Sequence, residues 1–284
     1  MEKTRIDWCD STWNPVTGCL HGCEYCYAKN IAERFGTLFK GDILPEDEGL
    51  SFLPDEPERF YELDEALKNE NGKIEPYPAN FYPTFHKYRL DNYKSKEGRR
   101  IFVCSMADLF GEWVPDEWIE EIFCACVSAP QHTYLFLTKN PERYYCLQDS
   151  GDLPDHENMW YGITVTNKAQ LERAVKAAGN LWGTVRTFLS IEPLHEDITQ
   201  SEYWDPENLR NIFDWFIVGA ETGRRPGKIT PERKWIENIV ETCSKMAKPV
   251  FLKSGRGIME EIWGEPLLQE YPEKMRASNR RNPE

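Results

Sequence analysis

The sequence is short of histidine, with five in 284 residues, and no long apolar run interrupts it. The first shortage, with almost no histidine at strand ends, weighs against a metal-dependent barrel hydrolase with Asp108, Glu192 and Glu221 as ligands. The second excludes an obvious membrane-spanning helix, which needs about 20 consecutive apolar residues. The opening residues, Met1-Glu-Lys-Thr-Arg-Ile-Asp7, lack a signal-peptide pattern. Nine cysteines form an odd set without disulfide-framework spacing, so a reducing cytoplasm is the expected location. There is no internal repeat of the roughly 20–50-residue kind and no second Cys-x2-Cys pair to suggest an auxiliary cluster. Net positive charge is missing too. A formal charge of −14 disfavours broad, non-specific binding to nucleic acid.

The negative charge is unevenly placed. Between Glu46 and Glu75 there are eleven acidic and three basic residues, a net of −8, which leaves −6 for the rest of the chain. A local basic groove therefore stays open as an expectation. Residues 36–82, rich in Pro, Asn and Gly, read as an acidic insertion or lid with one helix around 56–69. Residues 270–284 read as a basic, solvated tail. The length suits one large α/β domain or two small ones, and the pattern favours a single domain over 1–284.

Outside the insertion, short apolar runs alternate with amphipathic segments. A strand or turn is expected over 11–17, then a helix from Tyr27 to Phe35 and a strand over 81–90 carrying His86, which reads as structural. Beyond residue 100, strands are expected at 101–105, 134–138, 160–164, 187–191, 215–219 and 249–253. Helices fall between them, with apolar stripes such as Trp118, Ile119, Ile122, Phe123 and Cys126. Asn167, Asp116 and Asn140 read as helix caps. Unbroken apolar strands alternating with helices predict a parallel sheet covered by helices, a complete or partial (β/α) TIM-type barrel. Function in such folds gathers where strands end.

One short stretch organises the rest: Cys19-Leu-His-Gly-Cys23-Glu-Tyr25-Cys26-Tyr-Ala28. Three thiolates spaced Cys-x3-Cys-x2-Cys can hold three corners of a [4Fe–4S] cubane, leaving the fourth iron open to a small molecule. A zinc site is the competing reading. It needs a fourth ligand, for which Cys9 is available and His21 is badly placed. Reduced structural thiols are the third reading. Cys126 and Cys243 lie on apolar helix stripes and read as core. Cys104, near a strand end, is either a hydrogen-atom donor at the barrel mouth or turned outward beneath a helix.

The strand ends carry polar groups that strands do not need: Ser105 and Asp108, Thr138 and Lys139, Thr164, Thr166 and Asn167, Glu192, Glu221, and Lys253. In a barrel these would converge with the cysteine loop on one mouth. Alternation places Glu192 on the same strand face as Ser190 and Phe188, and Glu221 on that of Gly219 and Ile217. Gly219 reads as room for a ligand to approach the backbone.

The cysteine spacing, with an aromatic directly before the third cysteine, resembles the signature of radical S-adenosylmethionine (SAM) enzymes. The segments Thr12-Trp-Asn-Pro-Val-Thr-Gly-Cys19, Phe102-Val-Cys-Ser-Met-Ala-Asp-Leu-Phe110, Leu137-Thr-Lys-Asn-Pro-Glu-Arg143, Leu189-Ser-Ile-Glu-Pro-Leu194 and Trp215-Phe-Ile-Val-Gly-Ala-Glu-Thr-Gly223 further resemble a phage-associated family with a three-cysteine motif. That resemblance implies a [4Fe–4S] cluster on Cys19, Cys23 and Cys26, and SAM on its open iron. It also implies an electron from an external flavodoxin- or ferredoxin-type reductant, and abstraction of a substrate hydrogen by the radical released from SAM. Tyr25 would pack beside the cluster and the adenine. Ser105, Asp108, Thr138, Lys139 and Thr164 would bind the rest of SAM, and Glu192, Glu221 and Lys253 would hold or protonate the substrate. The superfamily's Gly-Gly-Glu after the second strand is missing, and Ser105 to Asp108 stand in its place. Phage association points to a nucleotide or nucleic acid as the substrate class. The rival from another class is a non-catalytic binding module clamped by zinc or an iron–sulfur cluster.

Overall fold

The computed structural model describes residues 4–36, 51–52, 60–181, 183–223 and 225–275. Seven strands form one all-parallel sheet: β1 (Ser11–Trp13), β6 (Arg100–Val103), β7 (Thr133–Thr138), β8 (Met159–Val165), β9 (Arg186–Ile191), β10 (Trp215–Val218) and β11 (Val250–Leu252), in that spatial order. From β6 onward a helix follows every strand: α2 (Asp116–Val127), α3 (Glu142–Ser150), α4 (Lys168–Gly179), α5 (Pro206–Ile212), α6 (Arg233–Lys245) and α7 (Ile258–Trp263). Each crossover advances the chain by one strand in the same direction, so the sheet curls into a half-barrel. The expected α/β architecture is thus the partial barrel. Among the described residues no helix is long and apolar enough to cross a membrane.

The strands read as apolar runs because both faces are covered. Outward residues such as Val103, Phe136, Tyr161, Leu189, Phe216 and Leu252 pack with Ile119, Ile122, Phe123 and the other helix stripes. Inward residues Phe102, Leu135, Trp160, Phe188, Trp215, Ile217 and Phe251 fill the barrel with Trp8 and Met275. Trp8 lies on this aromatic layer, its ring centroid 4.7 Å from Phe102, 6.2 Å from Phe188 and 6.3 Å from Trp215.

Gly162 makes that layer possible, because a Cβ there would lie 2.2 Å from the Phe188 ring. Phe188 is held between Trp8 and Trp215 and has little room to yield. Gly162→Ala is therefore expected to cost about 1–3 kcal/mol by overpacking. A urea titration reads this directly; an unchanged midpoint would mean that the layer rearranges freely.

A second sheet, in the order β2-β5-β4-β3, is built from β2 (Val16–Thr17), β3 (Ser51–Phe52), β4 (Tyr61–Leu63) and β5 (Thr84–His86). It docks on α2, where the Trp118 indole donates to Glu62 at 2.5 Å and Lys87 pairs with Glu62 at 2.9 Å. The helix expected around 56–69 is not formed over its described part, where Tyr61–Leu63 pair with β5 instead. Tertiary pairing overrides a weak helical pattern. Residues 37–50 and 53–59 of the expected lid, and 276–284 of the expected basic tail, lie outside the described residues. The strand expected over 81–90 is confined to Thr84–His86 and joins this small sheet rather than the barrel.

Of the expected caps, Asn167 accepts from the Gln170 amide at 2.9 Å as foreseen. Asp116 sits inside the first turn of α2 and pairs with Arg143 at 2.6 Å. The Asn140 side chain reaches away to donate to the Phe110 carbonyl at 2.9 Å. Long-range partners outcompete the local turn at both positions.

His86 is structural, with its ring nitrogens at 2.9 Å from Thr17 Oγ1 and 3.3 Å from the Tyr88 hydroxyl. Burial, reinforced by Arg89, lowers its pKa well below the usual histidine value, and burial lowers that of His132 as well. His86 thus stays neutral in the native state while the unfolded chain takes up protons, and His132 adds to the effect in the same direction. Stability should therefore be intact above the unfolded histidine pKa and fall as pH drops below it, by up to about 1.4 kcal/mol per pH unit for each histidine. Urea midpoints between pH 7 and pH 5 test this. A flat profile, or one unchanged in His86→Asn, would remove these rings as its cause.

Candidate active site

The cysteine loop joins β2 to α1 (Tyr27–Phe35) and is fastened at several points. Gly18, at φ +90°, donates its amide to the Met106 carbonyl at 2.9 Å, and the Cys19 amide donates to Phe81 at 3.2 Å. The Cys26 amide donates to the Cys23 carbonyl at 3.1 Å. Cys26 also caps α1, its Sγ accepting from the Lys29 amide at 3.4 Å. All three cysteines are half-buried.

One cavity of about 1080 Å³, counting its opening to solvent, lies between this loop and the carboxyl ends of the strands. Thr166 and Asn167, also expected at the mouth, do not line it, but most of the residues singled out from the sequence do: Cys19, Cys23, Cys26 and Tyr25 from the loop; Ser105 and Asp108 after β6; Thr138 and Lys139 at the end of β7. Thr164, Glu192, Glu221 and Lys253 complete that set from β8 to β11. Short apolar strands in register deliver their first polar residues at one level, which is why side chains more than a hundred positions apart meet.

Three polar groupings occupy the walls. Asp108 is buried and accepts from Lys139 N–H at 2.8 Å, from Phe110 N–H at 3.1 Å, and pairs with His21 Nε2 at 2.7 Å. Burial would raise its pKa, but His21, the Lys139 amide and Thr138 outweigh it and hold the carboxyl below the usual value. Asp108 thus ties the cysteine loop, through His21, to the end of β7.

The second grouping is centred on Glu221, which is 3% exposed. It receives a two-pronged contact from Arg225, at 2.9 and 3.0 Å, and lies 3.1 Å from His195 Nε2. Arg225 reaches on to Glu24 of the loop at 3.0 Å, and the His195 ring stands edge-on to Tyr25 at 5.3 Å. The Arg225 hydrogen bonds, joined by His195, lower the Glu221 pKa despite burial.

The third is an ion pair between Lys253 and Glu192, with Asp7 close enough to feel both charges. Burial raises the Asp7 pKa, opposed by the Ser254 amide and by Lys253.

Other expectations are corrected here. Gly219 leaves its space to Glu192, whose Cγ lies 3.1 Å from where a Cβ would stand, rather than to a ligand. Of the two readings of Cys104 the structure bears out the second: it turns outward into the core beneath the helices, 2% exposed, and is not a hydrogen donor at the mouth. Cys9 is buried in the barrel layer away from the loop. Histidines are not scarce at the mouth, since His21 and His195 both stand there. The sequence pattern also passes over Trp8, Ser190, His195, Glu24 and Arg225. Only Ser190 carried a signal, its shared strand face with Glu192.

The donor set fits a cluster held at this loop. Three half-buried thiols line one cavity, and among the described residues the buried Trp8 Nε1 and Ser190 Oγ have no hydrogen-bond partner. Burial and the nearby Asp108 carboxylate push the Cys19 thiol up to about 12, so iron must displace that proton on binding. Among the described residues no three His, Cys, Asp or Glu side chains gather around a single-ion position.

The chain belongs to the family described as "Protein of unknown function (DUF5131)", whose model matches residues 3–273. It is 33% identical over 86 residues to the uncharacterized protein ORF301 of Acidianus two-tailed virus, a match spanning 26% of this chain and 27% of that protein. Among solved structures it resembles a single-substitution variant of spore photoproduct lyase, with a TM-score of 0.51 and 10% identity over 88% of this chain and 78% of that one. A double-substitution variant of the same lyase, with bound AdoMet and dinucleoside spore photoproduct, gives 0.44 and 11% over 86% and 63%. The first of these two structural likenesses bears out the fold, an α/β curled parallel half-barrel.

Proposed function

We propose that the chain is a radical SAM enzyme acting on a nucleotide or nucleic acid. The observation that carries this reading is the position of Cys19, Cys23 and Cys26 on a fastened loop, facing the same cavity as polar groups from the strand ends. A single zinc ion would need thiolates about 2.3 Å from one point, with a fourth ligand to close the site. A cubane gives each thiolate its own iron and needs no fourth protein ligand. When bound, the cluster and SAM supply the electron transfer and the radical that removes a hydrogen atom from substrate.

The protein's own residues do the rest. Tyr25, between His195 and the Lys139 ammonium 5.7 Å from its ring, walls the cofactor space. Ser105, Asp108, Thr138, Lys139 and Thr164 line the side where SAM would lie. Asp108, with both oxygens engaged, acts there mainly by positioning His21 and the Lys139 backbone. Glu192 and Lys253 present an exchangeable proton and a matched charge to the substrate, while Glu221 holds Arg225 and His195 against the loop. An external one-electron reductant of flavodoxin or ferredoxin type completes the system. The likeness in fold to a lyase of spore photoproduct, and the viral relative, support the substrate class.

The test is anaerobic reconstitution, an iron and sulfide count, and electron paramagnetic resonance of the reduced protein with and without SAM. About four irons per chain and a spectrum that changes on adding SAM are expected. Zinc in place of iron, or a cluster blind to SAM, would defeat the proposal in favour of a binding module.

A further inference from the structure

One arginine at the rim of the cavity is held by two carboxylates of different kinds. Arg225 follows β10, close behind Glu221 and Thr222, which line the cavity. Its Nε and Nη2 donate to the two oxygens of Glu221 at 2.9 and 3.0 Å, and the Glu221 side chain is 2% exposed. Its Nη1 donates to Glu24 at 3.0 Å, and that side chain is 81% exposed. Breaking the first contact would strand a buried charge, which is strongly unfavourable. The second is an exposed pair, of a kind that contributes little. One partner is permanent and the other is exchangeable.

The local chain suits an exchange of Glu24 for phosphate. Pro226 and Gly227, the latter at φ +73°, fill the middle of a β-turn closed by the Lys228 amide, which donates to the Arg225 carbonyl at 3.2 Å. Such a turn holds the Cα atoms of its first and fourth residues within about 7 Å. A second cation therefore stands beside the guanidinium. In a chain of net charge −14, the stretch from Thr222 to Ile229 has no acidic residue. Glu24 pairs with Arg225 and not with Lys228. A phosphodiester, with two unesterified oxygens, can accept from both cations in charge-assisted contacts. The exchange is also neutral in charge, because one monoanion replaces another. This rim can thus take a phosphate without gaining net negative charge.

We infer that Arg225 and Lys228 bind the backbone phosphate of a nucleic-acid strand whose reacting nucleotide enters the cavity, with Glu24 occupying the phosphate position until the strand arrives. This rests on the proposed nucleic-acid substrate and adds where its backbone is gripped. The step is recognition only: no bond is made or broken at the rim.

The test is fluorescence anisotropy of a labelled oligothymidylate with the anaerobic, iron-loaded protein over a range of KCl. Its methylphosphonate analogue, with the same bases and an uncharged backbone, is run beside it and should bind at least about tenfold more weakly. Arg225→Gln and Lys228→Gln should each weaken the oligothymidylate about three- to tenfold. Each should also lower the slope of log affinity against log salt by about 0.7, the value for one phosphate contact on a single strand. Lys228→Gln leaves the Glu221 pair intact and decides the matter if Arg225→Gln folds poorly. Glu24→Gln should tighten binding, by up to about fivefold, because it removes the occupant. Glu33→Gln takes the same charge from α1, where Glu33 faces Lys29, and should tighten binding less. Equal binding of the analogue, no binding of the oligothymidylate, indifference to Lys228→Gln, or no gain from Glu24→Gln beyond that from Glu33→Gln overturns the phosphate site. The electron paramagnetic resonance response to SAM, recorded on the same samples, separates the failures. A SAM-responsive cluster without oligothymidylate binding removes only the phosphate site. Arginine-dependent oligothymidylate binding without a SAM response removes only the radical reading. A SAM response lost in Arg225→Gln with oligothymidylate affinity unchanged overturns the site by giving the arginine to the SAM carboxylate.

Discussion

Cys23→Ala is expected to drop iron from about four per chain to below about one, and to reduce SAM cleavage by more than about 100-fold. The cubane depends on three thiolates, and the alanine leaves two irons without protein ligands. Even loss of a residue that merely supports a metal ligand costs about 10–100-fold in affinity or activity. Loss of a ligand itself must exceed that. Cys9→Ala is the matched control. Cys9 is 6% exposed in the barrel layer, its Sγ near the Ile6 carbonyl at 3.8 Å, and it takes no part in the loop. Its variant should keep its iron. If Cys9→Ala lost iron as fully as Cys23→Ala, the four-cysteine zinc-like arrangement would return as the better account.

Gly18→Ala is expected to produce the largest combined loss of stability and iron from a position that touches no ligand. Its φ of +90° is one that residues with a Cβ rarely adopt. A Cβ there would also lie 2.1 Å from the Tyr82 carbonyl oxygen and 2.7 Å from Pro83 N, both backbone atoms that cannot swing aside. The loop is pinned on each side, by Gly18 to Met106 and by Cys19 to Phe81. Relief therefore has to come by moving Cys19. Strain and overpacking together should cost about 2–4 kcal/mol, seen as a lower urea midpoint, with iron retention falling alongside. Gly22→Ala provides the contrast. It also has positive φ, +66°, but nothing lies within 4 Å of its Cβ position. Only the left-handed backbone penalty of about 1–2 kcal/mol applies. Equal effects at both glycines would refute the steric explanation.

The two substitutions mark where sequence reasoning succeeds and where it stops. The cysteine spacing is local, so the three-thiol loop could be picked out before any fold was known. The strand-end residues Glu192 and Lys253 were legible for a similar reason. Each interrupts an apolar run, and period-two alternation fixes its face. The steric role of Gly18 was not legible, because the atoms that exclude a side chain come from Tyr82 and Pro83. The same holds for Gly219, whose open space faces Glu192 from the neighbouring strand, and for Gly162 beneath Phe188.

Trp8 shows the limit most clearly. It lies in no repeating pattern and precedes the first strand, yet it packs on the barrel's aromatic layer and lines the floor of the cavity. Arg225 and Glu24 are separated by most of the chain and meet only because β10 and the cysteine loop end at the same rim. Periodicity and spacing by themselves determined the alternating strand–helix order, the parallel sheet and the three-thiol loop, since these depend on neighbours within a turn or a strand. The tertiary structure alone decided that the barrel is partial, that Cys104 turns outward, that Asp108 positions His21, and that Trp8 joins the barrel's aromatic layer. Those outcomes depend on which distant side chains fill the remaining space, and no local pattern encodes that.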